Sequence, residues 1–172
     1  MRRGYIQVYT GSGKGKTTAA LGLALRAAGA GFKVFIAQFV KQRRCSEHRM
    51  LERFGDLITI KQYGRGFIMG KRPAKAHRES AGKGIEELKG IVSSGDYDMV
   101  ILDEANVAVH YHLLDVDELM NLMKSKSKGT ELVITGRYAD RKVIRLADLV
   151  TEMKEIRHYH KKGVRARTGI EK

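Results

Sequence analysis

Thr10-Gly11-Ser12-Gly13-Lys14-Gly15-Lys16-Thr17 is the stretch that decides the fold of this chain. An apolar run, Tyr5 to Tyr9, precedes it, and an alanine- and leucine-rich run, Thr18 to Ala30, follows it. A strand, a glycine-rich loop ending in Lys-Thr and a helix together form a phosphate-binding P-loop. Thr10 replaces the first glycine of the usual G-x-x-x-x-G-K-[ST] pattern, so the flanking strand and helix carry this interpretation against that of a chance glycine turn.

The P-loop predicts a binding site for the phosphates of a nucleoside triphosphate. Backbone N–H groups of the loop and of the helix start form a concave anion site, and glycines let the chain enter positive φ and approach the phosphates closely. Lys16 is expected to reach the terminal phosphates, and the Thr17 hydroxyl to ligate Mg²⁺ (or Mn²⁺). Lys14 is either a second phosphate contact or a solvated loop lysine. The predicted nucleotide contacts in this segment are Thr10, Gly11, Ser12, Gly13, Lys14, Gly15, Lys16, Thr17 and Thr18.

Two carboxylates follow a second apolar run. Met99-Val100-Ile101-Leu102 predicts a buried parallel strand, and Asp103 and Glu104 come at its end. Ligands of parallel sheets bind outside the carboxyl ends of the strands, so we expect both acids to lie beside the P-loop. One of them would hold Mg²⁺ directly or through water, which makes Thr17, Asp103 and Glu104 the predicted metal ligands. Two solvated acids at a strand end are the alternative.

Length and composition limit the class of protein. The chain has 172 residues, which predicts a single domain over residues 1–172. It contains no apolar run long enough for a membrane span, no apolar leader after Met1, and a single cysteine, Cys45, and these features predict a cytoplasmic protein. The net charge of +14 suits a polyanionic partner, but a solvated basic surface is the preferred interpretation.

Strands alternate with helices along the chain. This order predicts a three-layer α/β domain, P-loop NTPase-like (RecA-like), with a mostly parallel central sheet. Periodicity and breakers predict strands at Tyr5–Tyr9, Val34–Val40, Leu57–Gln62, Met99–Glu104, Glu131–Thr135 and Leu149–Ile156. They predict helices at Thr17–Ala28, Ser46–Phe54, Ala74–Ser93 and Asp140–Ala147, and one opened by a capping box at Asp115–Glu118. Tyr63–Pro73 is expected to be a long functional loop.

The chain resembles the P-loop family of ATP:corrinoid adenosyltransferases over nearly its whole length. That family also has threonine at the position of the first P-loop glycine. The matching segments, in order, are Val8–Ala20, Gln38–Lys41, Gly64–Phe67, Leu102–Glu104, Ile134–Arg137, Leu146–Met153 and Gly163–Glu171. The loop alone is moderately specific, and the ordered set is highly specific.

The resemblance implies that the nucleotide is ATP and that a Co(I) corrinoid attacks its 5′ carbon, so that the whole triphosphate leaves and adenosylcobalamin or its precursor is made. Co(I) is a strong nucleophile, so the absence of a convincing catalytic triad in the sequence is expected. Lys16, Thr17 and Phe67 are the implied catalytic residues, and Gly66, Phe67 and Met69 the implied corrinoid contacts. Many relatives have tryptophan where Met69 stands. Further ATP contacts implied by the resemblance are Gln38, Lys41, His158 and Arg165.

The partners implied are ATP, a corrinoid and an external reductant such as a flavodoxin-like protein, and the resemblance points to a homodimer. The histidines have no convincing zinc-site spacing, and His110-x-His112 is expected to lie on a loop. The alternative functions are a P-loop ATPase with a nucleic-acid or protein partner, and a protein that holds ATP without chemistry. The inorganic product formed from ATP would separate them.

Overall fold

A computed structural model of the chain describes residues 3–66 and 75–171. The strands are β1 Ile6–Thr10, β2 Val34–Gln38, β3 Ile58–Gln62, β4 Met99–Asp103, β5 Glu131–Thr135 and β6 Leu149–Glu152. The α-helices are α1 Lys16–Gly29, α2 Ser46–Leu51, α3 Lys75–Ser94, α4 Ala105–His110, α5 Val116–Lys124 and α6 Arg141–Leu146. Short 3-10 helices cover Glu52–Phe54 and Tyr159–Lys162.

The strands form a single six-stranded sheet in the order β3-β2-β4-β5-β1-β6, and every pairing is parallel. The predicted α/β fold with a parallel central sheet is therefore confirmed, and it is consistent with a P-loop NTPase-like domain. Strand β5 lies between β1 and β4. The P-loop follows β1 and the predicted acidic pair ends β4, so both lie at the same edge of the sheet although their strands are not neighbours.

A hydrophobic core lies on each face of the sheet, where the helices pack against the strands. One core packs α1 on the sheet through Ala20, Ala24 and Ala27, whose small side chains let the helix approach closely. The other core holds side chains from α3, α5 and α6, such as Ile85, Leu119 and Val143. The neighbouring strands β1 and β5 thus lead into helices on opposite faces, which opens a crevice at their carboxyl ends.

Three differences from the predicted helices and strands lie close to the P-loop and the acidic pair. Strand β6 ends at Glu152 rather than Ile156, because the Met153 carbonyl accepts a hydrogen bond from the P-loop instead of continuing the ladder. Residues 105–110, for which no element was predicted, form α4 directly after β4. The expectation that His110 lies on a loop is therefore wrong, since His110 is the last residue of that helix.

The capping box predicted at the start of α5 is confirmed. The Asp115 side chain accepts a hydrogen bond from the Asp117 N–H at 2.7 Å, and the Glu118 carboxylate accepts one from the Asp115 N–H at 3.1 Å. Of the helices in the described residues, none combines the length and apolar character that crossing a membrane requires.

Candidate active site

The P-loop connects β1 to α1 and packs against the chain that follows β6. Gly11 and Gly15 have φ of 95° and 115°, the left-handed region that favours glycine. The Gly13 N–H donates to the Met153 carbonyl at 2.6 Å, and a Cβ added at Gly11 would lie 2.5 Å from the same oxygen. The loop therefore requires glycine for its own packing.

Lys16, the first residue of α1, folds back over the loop. Its Nζ donates to the carbonyl oxygens of Gly11 at 2.9 Å and Gly13 at 2.6 Å, and the residue is buried. Burial lowers the pKa of Lys16, and the nearby Arg137 guanidinium lowers it further, against the attraction of two carboxylates. A cation held by neutral carbonyls at this position is able to exchange them for the oxygens of an anion.

Asp103 accepts hydrogen bonds from three side chains, one at the start of α1 and two at the ends of β2 and β5. Its Oδ1 accepts from the hydroxyls of Thr17 at 2.8 Å and Thr135 at 2.7 Å, and its Oδ2 accepts from the Gln38 amide at 3.0 Å. Asp103 is almost fully buried, and these partners compensate its desolvation. Thr135 belongs to β5, so the strand between β1 and β4 supplies the link between the P-loop and the acidic pair.

Glu104 has an unusual backbone and environment. Its φ is 61°, which is uncommon for a residue with a side chain, and its N–H donates to the Thr135 hydroxyl at 3.0 Å. Burial raises the pKa of Glu104, the adjacent Asp103 carboxylate raises it further, and Lys41 and Lys16 oppose the shift. A carboxyl group held in a strained conformation beside a second carboxylate is typical of a functional site.

Lys41, three residues after the end of β2, lies close to the same acidic pair. Its Nζ lies 3.3 Å from a Glu47 carboxylate oxygen and 3.8 Å from Oδ2 of Asp103. Burial disfavours the charged lysine, but Asp103 and Glu47 outweigh it, so the pKa of Lys41 is raised. Lys41 is thus a cation already paired inside the site.

An open cavity of about 1070 Å³ lies above these groups. Its lining includes Lys16, Thr17, Lys41, Glu104, Arg137 and His158. The crevice at the carboxyl ends of β1 and β5 therefore brings the P-loop, a pair of acids and further basic residues together. Its volume lies at the upper end of the range for small-molecule sites, which is large enough for a nucleotide.

Some of the predicted ATP contacts lie outside the cavity lining, and others are hydrogen bonded to other parts of the protein. Gln38 is fully buried beneath Asp103 and is not part of the cavity lining, and Arg165 is exposed outside it. Ser12 is exposed, and its hydroxyl accepts a hydrogen bond from the Glu155 N–H at 3.4 Å. Lys14 lines the cavity, and its Nζ donates to the Ile170 carbonyl at 3.2 Å, which links the P-loop to the end of the chain.

The predicted corrinoid contacts are only partly within the described residues. Gly66 is described, with φ of 102° and its N–H donating to the Val40 carbonyl at 3.1 Å. Phe67 and Met69 lie outside the described residues. Their predicted roles stay predictions.

Sequence reasoning did not select three residues of this site, Thr135, Arg137 and Tyr138. Thr135 and Arg137 flank the carboxyl end of β5, and their position after a buried strand was the available signal. Tyr138 also lines the cavity, and its ring stacks on His110 with centroids 4.1 Å apart. That pairing joins residues of α4 and of the β5 loop, and nothing in the local sequence predicts it.

Comparison with known proteins shows which family the chain is similar to. The family described as ATP:corrinoid adenosyltransferase BtuR/CobO/CobP matches residues 2–171. A corrinoid adenosyltransferase of Sinorhizobium sp. is 36% identical over 172 residues, covering 98% of this chain and 80% of that protein. The corrinoid adenosyltransferase of Escherichia coli K12 and corrinoid adenosyltransferase CobA of Salmonella typhimurium are each 34% identical over 170 residues, covering 98% of this chain and 86% of their own length.

These matches span nearly the whole chain rather than the P-loop segment alone, and they do not favour the alternative of an ATPase with a nucleic-acid or protein partner. The predicted resemblance is confirmed. The chain belongs to the ATP:corrinoid adenosyltransferase family, whose reaction is the transfer of an adenosyl group from ATP to a corrinoid.

Proposed function

We propose that the cavity binds ATP with its triphosphate on the P-loop and exposes the 5′ carbon to the Co(I) centre of a corrinoid. One observation carries this proposal. The Thr17 hydroxyl donates to Asp103 across a sequence separation of 86 residues, and Lys16, Thr17 and Glu104 line a single cavity. This is the arrangement that triphosphate binding requires.

In the proposed step the electron pair of Co(I) forms a bond to the 5′ carbon as the bond from that carbon to the triphosphate oxygen breaks. Cobalt becomes formally Co(III), and the electron pair of the broken bond leaves with the triphosphate. The protein needs no nucleophile of its own, and its tasks are positioning and the stabilisation of growing negative charge. The backbone N–H groups of the loop from Gly11 to Gly15, apart from that of Gly13, which donates to Met153, serve that charge together with the Lys16 ammonium.

The donor set also fits Mg²⁺. Thr17, Asp103 and Glu104 offer only oxygen atoms, the ligands that Mg²⁺ prefers, and they lie next to the proposed triphosphate position. Bound there, Mg²⁺ would neutralise charge on the phosphate oxygens and favour departure of the triphosphate. The Thr17 hydroxyl donates its hydrogen bond to Asp103, so its lone pairs remain for a cation.

We infer that the corrinoid enters beside the loop that contains Gly66, with Phe67 and Met69 as its predicted contacts. Reduction of Co(II) to Co(I) requires an electron that ATP does not supply. An external donor such as a flavodoxin-like protein is therefore the expected partner. A homodimer and a cytoplasmic location also stay predictions, which sedimentation and cell fractionation would test.

The test is product analysis with ATP, Mg²⁺ and chemically reduced cobalamin. The expected products are a light-sensitive adenosylated corrinoid and intact triphosphate in equal amounts. Lys16→Ala should lower kcat/KM by roughly 10²–10³-fold, the usual effect of removing one donor to a developing anion. Lys83→Ala, at an exposed position of α3, is the matched control. ADP and phosphate as products, or an unimpaired Lys16→Ala variant, would contradict the proposal.

A further inference from the structure

His48 is a buried histidine that the proposed chemistry does not use. It is the third residue of α2 and only 3% exposed. Both of its ring nitrogens are hydrogen bonded: Nδ1 to the Cys45 N–H at 2.9 Å, and Nε2 to Oε1 of Gln38 at 2.8 Å. Gln38 in turn contacts Asp103, so the histidine lies two contacts away from the proposed metal site.

The direction of these hydrogen bonds is fixed by chemistry. A backbone N–H can only donate, so Nδ1 of His48 must accept from Cys45 and carries no proton. The ring proton is therefore on Nε2, which donates to Oε1 of Gln38 at 2.8 Å, and the Gln62 amide donates to the same oxygen at the longer distance of 3.3 Å. The Gln38 amide nitrogen must then point at Asp103, and the reverse orientation would place the amide oxygen against the carboxylate.

This orientation matters because the groups involved are shielded from water. Gln38 is 0% exposed and Asp103 is 1% exposed. A buried oxygen or N–H without a hydrogen-bond partner is destabilising, because it has given up water and received nothing in exchange. If the Gln38 amide turned over, Oδ2 of Asp103 would lose its hydrogen-bond donor and keep only the Lys41 ammonium at 3.8 Å. The rotation that lets Oδ1 accept from the Thr17 hydroxyl would then be held less firmly.

The same region offers one competing arrangement. Ligand atoms of Cys45, Glu47 and His48 all lie within 4.8 Å of one another, a spacing that a metal ion could use. However, an ion would have to displace the Cys45 N–H from Nδ1 or Gln38 from Nε2. The existing hydrogen bonds favour an orienting role for His48.

We propose that His48 is a positioning residue for the metal and triphosphate site. Its Nε2–H holds the Gln38 amide in one orientation, and that amide holds the Asp103 carboxylate in the rotation in which it accepts from Thr17. The inference rests on the proposed Mg²⁺ site, and it adds a residue of the α2 segment to the groups that shape that site.

A matched pair of variants tests the proposal. His48→Gln places an amide N–H near the position of Nε2, whereas His48→Asn keeps an acceptor near Nδ1 for the Cys45 N–H but is too short to reach Gln38. Equilibrium binding of ATP is measured in Mg²⁺ titrations, with thermal unfolding recorded for both variants. His48→Asn should need roughly tenfold more Mg²⁺ for half-maximal binding, the lower end of the effect of outer-shell substitutions. His48→Gln should stay within about twofold of the wild type.

Nitrogen-15 NMR of the wild-type ring gives an independent readout, and the Nε2–H tautomer is the expected result. An Nδ1–H tautomer, or equal Mg²⁺ requirements for wild type, His48→Asn and His48→Gln, would overturn this inference alone. If wild-type ATP binding does not depend on Mg²⁺, the proposed metal site itself is wrong, and this inference fails with it. A loss of Mg²⁺ response in both variants that parallels their thermal destabilisation would show a merely structural role and overturn the proposal.

Discussion

Alanine substitutions at three glycines should separate the two reasons why the P-loop needs glycine. At Gly11 both reasons apply, because φ is 95° and an added Cβ would lie 2.5 Å from the Met153 carbonyl oxygen. At Gly15 φ is 115°, but the nearest atom to an added Cβ is the Met153 sulfur at 3.5 Å, an ordinary contact. At Gly90, inside α3, an added Cβ meets nothing within 4 Å.

The expected changes follow from these distances. A non-glycine residue in the left-handed region costs about 1–2 kcal/mol, and forcing a group into a packed backbone costs about 1–3 kcal/mol. Gly11→Ala should therefore lose about 2–5 kcal/mol of unfolding free energy, and Gly15→Ala about 1–2 kcal/mol. Gly90→Ala should gain about 0.5–1 kcal/mol, because alanine restricts the unfolded chain and favours a helix.

Urea unfolding of the three variants and the wild type measures these differences. Gly90→Ala controls for the general effect of replacing glycine by alanine. Equal losses at Gly11 and Gly15 would refute the argument, since they would mean that the loop does not press against the Met153 backbone. A loss at Gly90 would show that the helix packing described for α3 is wrong.

Three further predictions concern hydrogen bonds and charges. Thr135→Val should lower the unfolding free energy by about 2 kcal/mol, because Asp103 and the Glu104 N–H each lose a partner, and Thr135→Ser should restore it in urea unfolding. The folded state raises the pKa of Glu104 above 4.5, so the protonated carboxyl stabilises the protein below that pH, and this stabilisation is lost as pH rises through the folded pKa. Glu104→Gln should therefore raise the unfolding free energy at neutral pH and flatten the pH–stability curve, and it should weaken Mg²⁺-dependent ATP binding. Hydrogen bonds from Arg167 lower the pKa of Glu171 to about 2, so a carbon-13 NMR titration should find the contacts at the end of the chain intact above pH 4.5 and lost as pH falls through about 2.

The parts of the site that the sequence predicts are those that depend on a single strand end. Thr17 follows directly from the P-loop pattern, and Asp103 from the apolar run that it terminates. Both positions need only the rule that parallel strands place their carboxyl ends at the same edge. The hydrogen bond between them at 2.8 Å is what that rule leads one to expect.

The parts that the sequence does not predict depend on strand order. Thr135 bridges Asp103 and the Glu104 backbone because β5 lies between β1 and β4, and this order is not readable from any one segment. His48 is similar, since an isolated histidine on a short helix is usually a packing residue, and its hydrogen bond to Gln38 joins α2 to β2. Contacts between distant segments carry the information that local patterns lack.

The two buried or partly buried lysines of the site have different partners, and this difference suggests how the site receives a triphosphate. Lys41 is already paired with the carboxylates of Glu47 and Asp103, so turning toward a phosphate would give up one charge interaction for another. Lys16 is held by two neutral carbonyls, and burial lowers its pKa. An arriving phosphate would favour the charged form of Lys16 and offer it stronger, charge-assisted hydrogen bonds. Of these two lysines, we therefore expect Lys16 to gain more when a triphosphate binds, and Lys41 mainly to balance the acidic pair.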